Sequence, residues 1–342
     1  MNQTNVLLLY GGESQEHEIS IVSATNVANA ISPDRFSVTY CYIDRDGRWW
    51  LTDGVKNEVS KNVELLPKLG TGSFIAGDAV ITPDVIVPIL HGKNGEDGAV
   101  QALAELLHIP IVGCDMTSSA IAMNKVATKQ IVQQSGINVV PFMTHRGEES
   151  LKSYDEITTE LGEILFVKPV NAGSSVGVSK ARNEQEFHDA LKEAHTHSDL
   201  VLIEKAINGR ELEVAVLGNF PALKASVVGE IKPDGEFYSY ESKYDQGSVT
   251  EAVIPAEIAD DLSEKICKMA IQVFEVLGCR GMARVDFFVD RDDGTIYLNE
   301  INTIPGFTDI SMYPKLWEHG GVSNQELVQN LIELALATKI KE

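Results

Sequence analysis

The residues best equipped for chemistry lie late in the chain, in MARVDFFVD and then YLNEIN. Side chains alternate faces along a strand, so Arg284 and Asp286 share a face of one strand. Glu300 and Asn302 share a face of the next. The short link at 291–294 predicts a hairpin, so both sets converge. Two carboxylates and an amide oxygen are hard donors, the chemistry of Mg2+ or Mn2+ beside phosphates. The alternative is a solvated hairpin face, weakened because these charges interrupt otherwise apolar runs.

Three further clusters stand upstream. In VKPVNAGSSVGV, Lys168 ends a strand and Gly173, Ser174, Ser175, Val176 and Gly177 make a flexible turn. Backbone N–H groups of such a turn can cradle anionic oxygens, with the lysine adding charge. The lysine precedes the glycines, so this is not a Walker A loop, and an ordinary hairpin remains an equal reading of this stretch alone. In IEKAINGRELEVAV, Glu204 and Lys205 end one strand, and Glu211 and Glu213 share a face of the next. Acceptors beside an apolar slot suit a base or ribose; taken alone, these glutamates read more readily as solvated. GGESQEHEIS and LHGKNGEDG both follow strands at their carboxyl ends, where open α/β sheets place ligands. Glu16 lies near a helix start and His91 follows a strand; either can be structural. The other histidines carry no assigned chemistry.

Positioning these groups falls to a succession of elements. Strands are expected over 6–10, 37–43, 84–90 and 110–112, with helices near 19–30 and 97–107. That alternation predicts a parallel sheet with helices on both faces. A long helix is expected over 117–135, with Thr117 as its N-cap and Gly136 beyond its end. Strands follow at 164–170, 176–179 and 200–205, with a helix from the Asn183–Glu186 pair to about residue 195. Strands at 212–217 and 225–230 precede a polar stretch, 233–250, which reads as a functional loop or lid. A helix over 257–277, strands at 281–290 and 295–301, and a helix over 323–339 complete the chain. The fold class is α/β, with an α+β C-terminal part.

The chain has 342 residues, enough for two or three domains. Its 44% hydrophobic content supplies a core, which excludes disorder as the main state. Against 50 Asp+Glu stand 28 Lys+Arg, for a net charge of −22. That balance argues against nucleic-acid binding, though a few local lysines and a metal can still hold a phosphate ligand. Cys41, Cys114, Cys267 and Cys279 are scattered, with no CxxC pair, and read as reduced thiols. With neither a signal-peptide pattern nor a membrane-length apolar run, a cytoplasmic protein without membrane contact is expected.

In this order, the four clusters resemble the ATP-grasp ligases, and within them the D-alanine–D-alanine ligases. The likeness rests on GGESQEHEIS, HGKNGEDG, VKPVNAGSSVGVSK, ESKY, GMARVDFF and LNEINTIPGFTDISM, and runs along essentially the whole chain. The resemblance implies a three-domain ATP-grasp fold: an N-terminal Rossmann-like domain (1–115), a central domain with the glycine-rich loop (116–205) and a C-terminal domain with metal site and lid (206–342). It implies ATP between the last two, and two Mg2+ or Mn2+ ions on Asp286, Glu300 and Asn302, with K+ open as a monovalent activator. Lys125 and Lys168 match phosphate contacts, with Ser174 and Ser175 in the covering loop. Glu204, Lys205, Ile207 and Glu211 match adenine and ribose contacts. Glu16 matches the residue that holds the ammonium of the first D-alanine, Ser174 and Tyr244 match its hydrogen-bonding partners, and Arg284 and the Gly306 backbone match oxyanion stabilisers. Lys243 and Ser311 match binders of the second D-alanine, beside Met312, where the family usually has leucine, and His91 is counted with the substrate contacts. A homodimer is implied. Rival readings are a D-alanine–D-lactate ligase, another ATP-grasp carboxylate–amine ligase, or a non-catalytic nucleotide-binding regulatory module. The Lys243–Tyr244 pair favours dipeptide formation, and the joint presence of Arg284, Asp286, Glu300 and Asn302 argues against lost chemistry.

Overall fold

The computed structural model describes residues 3–57, 59–147, 149–171, 173, 176–232 and 251–338. The run VLLLY has little polar character and suits a strand covered on both faces. It forms the buried centre of β1 (Thr4–Gly11), which pairs in parallel with β2 (Phe36–Ile43) and β7 (Val85–Ile89). β3 (Trp49–Thr52) returns antiparallel beside β2, so the first sheet is parallel over three strands with an antiparallel edge. The strand expected at 110–112 shrinks to one bridge, Ile86 to Ile111, beside Pro110, which has no N–H for a ladder. Helices α1 (His17–Ala30) and α2 (Ala99–Leu107) flank this sheet. Three short strands, β4 (Leu65–Lys68), β5 (Ser73–Ala76) and β6 (Ala79–Ile81), form a separate antiparallel sheet. Their few residues are too short a run for alternation to show in the sequence.

The helix expected over 117–135 is two helices, α3 (Met116–Met123) and α4 (Lys125–Gln134). Asp115, not Thr117, caps the first, accepting from the Ser118 N–H at 2.9 Å. Asn124 breaks the helix and caps the second, accepting from the Ala127 N–H at 3.0 Å. The break makes Lys125 the first residue of a helix. The central antiparallel sheet runs in the order β10 (Ser179–Ala181), β9 (Leu165–Pro169), β11 (Leu200–Lys205), β8 (Phe142–Arg146). The strand expected at 176–179 thus starts only at Ser179. Two helices cover this sheet, α5 (Tyr154–Leu161) and α6 (Glu184–His197), the latter capped by Asn183. Phe187, Val167, Val201 and Ile203 are among a core that belongs to this unit alone.

The third sheet is antiparallel throughout, in the order β14 (Glu251–Val253), β13 (Lys224–Lys232), β12 (Gly209–Gly218), β15 (Gly281–Asp290), β16 (Ile296–Asn302). Successive residues of β12 feed two cores, Leu212 and Val214 to one and Ala215 and Leu217 to the other. Helix α7 (Asp260–Val276) packs in the first. Helices α8 (Met312–His319) and α9 (Asn324–Ala337) pack in the second. That second core continues without interruption into the first sheet, joining Val85, Val87 and Ile89 to Phe307, Leu327 and Leu331. Leu327 is fully buried there. Leu327→Ala is expected to cost about 2–5 kcal/mol, read as a lowered urea midpoint with unchanged slope.

Candidate active site

Strands β15 and β16 pair so that Asp286 lies opposite Glu300 and Arg284 opposite Asn302. On the other side, β12 sets Glu213 opposite Asp286. The Arg284 Nε and Nη2 each donate to one Asp286 oxygen at 2.8 Å, and Nε stands 3.1 Å from Glu213. Asn302 Nδ2 donates to Asp286 Oδ2 at 2.9 Å. Burial disfavours the Arg284 charge, but Asp286 and Glu213 outweigh it and raise its pKa well above the usual value. Three carboxylates against one guanidinium leave this corner net negative. Asn302 has its amide oxygen for a cation, and Asp286 and Glu300 add carboxylate oxygens. The donor set fits a divalent cation. Among the described residues no three His, Cys, Asp or Glu side chains form a ready cage, so such a cation would draw further ligands from water or phosphate oxygens.

Glu300 also lines a cavity of about 900 Å³ between the central and third sheets. Phe166, Ile207 and Phe288 give it apolar walls, and Lys125, Lys168, Lys205, Glu204 and Glu211 give it charge. Its size and mixed lining suit a nucleotide-sized ligand. Lys168 on β9 faces Leu202 across the ladder, which sets Glu204 diagonally beside it. The Lys168 ammonium lies 2.7 Å from Glu204 Oε2. A second lysine, Lys129 of α4, lies 2.6 Å from the other oxygen of Glu204. Burial pushes the Glu204 pKa up, but the two lysines prevail and hold it at about 2, below the ordinary 4.5. A depressed carboxyl adds stability fully above its unfolded pKa and loses it as pH falls through its folded one. The stability gap between the native chain and Glu204→Gln should therefore be constant above about pH 5 and shrink between about pH 4.5 and 2. Urea titrations across that range measure it.

The loops of the first sheet reach the same region. Glu16 is buried at the start of α1, and Glu96 of the GKNGEDG loop accepts from the Gly92 N–H at 2.9 Å. A Cβ on Gly173 would stand 3.6 Å from the Glu16 carboxylate and 3.9 Å from that of Glu96, so Gly173 approaches both acids. Gly95 is required where it stands, because a Cβ there would strike the Leu90 carbonyl. His91 is buried, with Nδ1 3.1 Å from the Ile304 carbonyl and Nε2 2.9 Å from the Ser23 hydroxyl. A carbonyl only accepts, so Nδ1 carries the proton and Nε2 accepts from Ser23. Burial lowers the His91 pKa, partly offset by Glu16, which keeps this ring neutral. Ser23 also accepts from the Phe307 N–H at 3.3 Å, so His91 and Ser23 together brace the turn containing Gly306. Both ring nitrogens are engaged, and a direct substrate contact from His91 would require giving one up.

Ser311 stands against that turn: its hydroxyl accepts from the Thr308 N–H at 2.9 Å and lies 2.7 Å from where a Gly306 Cβ would be. Met312, its neighbour, turns inward against Gly229 in the shared core. Ser174, Ser175, Lys243 and Tyr244 lie outside the described residues, as does the 233–250 stretch. The sequence reading missed Lys129, Glu96 and Ser23. Two of them left a signal: Glu96 lies within the LHGKNGEDG stretch, and Lys129 falls one helical turn after Lys125, hence on the same helix face.

The pattern for the D-ala D-ala ligase N-terminus matches residues 5–114, and that for the C-terminus matches residues 131–333. A curated D-alanine–D-alanine ligase of Thermoanaerobacter sp. (strain X514) is 43% identical over 350 residues, covering 98% of this chain and 97% of that protein. The solved D-alanine–D-alanine ligase of Coxiella burnetii superposes with a TM-score of 0.89 at 36% identity, covering 98% of this chain and 94% of that one. The VanG D-Ala:D-Ser ligase of Enterococcus faecalis superposes equally, at 0.89 and 35% identity, covering 98% and 100%. A nucleotide-sized cavity between two sheets, closed by an acidic hairpin, is the architecture of the ATP-grasp ligases, enzymes that use ATP and a divalent metal. Within that class the chain belongs to the D-alanine–D-alanine ligase family.

Proposed function

We propose that the chain joins two D-alanine molecules through a D-alanyl phosphate, releasing ADP and phosphate and supplying a peptidoglycan precursor. The observation that carries this is Glu300, which faces the cavity beside Lys125 and Lys168 while pairing in register with Asp286. Phosphate cations and metal donors thus share one wall. The residue roles are proposed with it. Asp286, Glu300 and Asn302 would hold divalent cations, Mg2+ or Mn2+, whose chemistry is to offset charge on the transferring phosphoryl group. Lys125 and Lys168 hold the phosphates, and Lys205, Ile207 and Glu211, with Glu204, line the base and ribose end. The domain reading, with boundaries near 115 and 205, is supported by one main sheet falling in each unit.

The chemistry needs these parts in order. A carboxylate is a poor electrophile, so the first D-alanine attacks the γ-phosphate of ATP and becomes an acyl phosphate. Glu16 is proposed to hold its ammonium, with Ser174 and Tyr244 as partners. The second D-alanine, bound through Lys243 and Ser311, attacks the acyl carbon as a free amine, while Met312 supports Ser311 from the core rather than touching the substrate. The oxyanion that forms needs donors already in place, the role proposed for Arg284 and the Gly306 backbone. The neutral His91 and Ser23 hold that backbone still. Acyl phosphates hydrolyse, so water must be kept out, which is the task proposed for the 233–250 stretch.

ADP release with D-alanine alone tests the reading, against L-alanine and against D-alanine with D-lactate or D-serine. Mg2+ is exchanged for Mn2+, and K+ for Na+, in parallel runs. Turnover with D-alanine alone supports it. Turnover that needs D-lactate or D-serine reassigns the acceptor, and none at all removes the catalytic reading. A cytoplasmic homodimer completes the proposal; among the described residues no helix is long and apolar enough to cross a membrane. Light scattering on the eluted protein measures the assembly.

A further inference from the structure

Lys129 is a charged side chain in an unusual place. Its side chain and that of Glu204 are each only 2% exposed, and Lys129 does not line the cavity. Its ammonium lies 2.6 Å from one Glu204 oxygen, and the other Glu204 oxygen is taken by Lys168 at 2.7 Å. A buried ion pair held this way is seldom a net source of stability, since desolvation offsets most of the attraction. The charge count offers a reason for it. Lys168 and Glu204 alone would cancel, leaving the lysine at the cavity wall with little field to offer an anion. With Lys129 behind it, the trio carries one net positive charge.

We propose that Lys129 is a positioning residue that neutralises and fixes Glu204 from behind, so that the charge of Lys168 remains available to the nucleotide phosphates. The idea rests on the nucleotide reading of the cavity. Each Glu204 oxygen faces one lysine, so the carboxylate cannot rotate without breaking a contact. Lys168 is thereby held at the cavity wall, 15% exposed, while its counter-charge is spent on the deeper lysine. Lys125, one turn earlier on the same helix, brings a second ammonium to the wall.

The test is the ratio of affinities for ADP and adenosine, measured by calorimetry on the purified full chain with Mg2+ present. Adenosine reports the base and ribose end, so the ratio isolates the phosphate end. The trio carries zero net charge in Lys129→Met, one in the native chain, one in Lys129→Met with Glu204→Gln, and two in Glu204→Gln. The ratio should follow that order, falling roughly tenfold in Lys129→Met and returning to about the native value in the double variant. Lys129→Arg should restore most of it. Alongside, KM for ATP should rise in Lys129→Met more than kcat falls. A packing role predicts lowered stability and an unchanged ratio, and that result overturns the proposal. If Lys129→Met does not fold, the double variant compared with Glu204→Gln still decides, because the ratio must fall by the same step. Failure of the native chain to bind ADP at all would instead remove the nucleotide reading beneath it.

Discussion

Arg284→Ala is expected to lower kcat about 10²–10³-fold while leaving KM for ATP near its native value. The loss has two sources. The guanidinium is a preorganised donor in a corner where water is scarce, and removing one such donor typically costs about 3–4 kcal/mol of transition-state stabilisation. It is also the cation to which Asp286 and Glu213 are paired, at 2.8 and 3.1 Å. Without it, two buried carboxylates face each other across adjacent strands. Arg284→Lys should recover little, because an ammonium cannot reproduce the two parallel bonds to Asp286. Steady-state kinetics on all three proteins check this. A loss confined to KM for ATP would place Arg284 with the nucleotide instead of the reacting carbon.

Glu300→Gln should rank second, with kcat down about 10²-fold and a strong dependence on added metal. The amide keeps the shape of the side chain and its place opposite Asp286, but removes one negative charge from the proposed cation site. Raising Mg2+ or Mn2+ should recover part of the rate, and the metal concentration for half-maximal activity should move up about tenfold. Titrating activity against metal at saturating ATP and D-alanine separates this from a nucleotide defect. An unchanged metal dependence would remove Glu300 from the site.

Much of this site was legible because it follows from alternation. Arg284, Asp286, Glu300 and Asn302 needed only a period of two and a short link to be placed together. Lys168 and Glu204 were each visible at the end of a strand, but their pairing required the antiparallel register of β9 and β11, which no local pattern specifies. Lys129 was missed for a related reason: its partner is remote in sequence, and a lysine on an amphipathic helix ordinarily reads as solvated. The break at Asn124 escaped because an uninterrupted helical pattern hides a residue that stops one helix and caps the next. His91 was seen, but not its partners Ser23 and Ile304, which come from two different units.

The apolar seam running from β7 through Phe307 to α9 welds the first and last units into a single block. The central sheet keeps its own interior, while α3 and α4 send Ala122 and Val132 into the core beneath the third sheet and a backbone bond joins Asn138 to Leu298. A widening of the cavity would therefore have to come from the central sheet and its two covering helices, because the first and last units share one core. The acidic hairpin belongs to that block and would keep its pairing through such a movement.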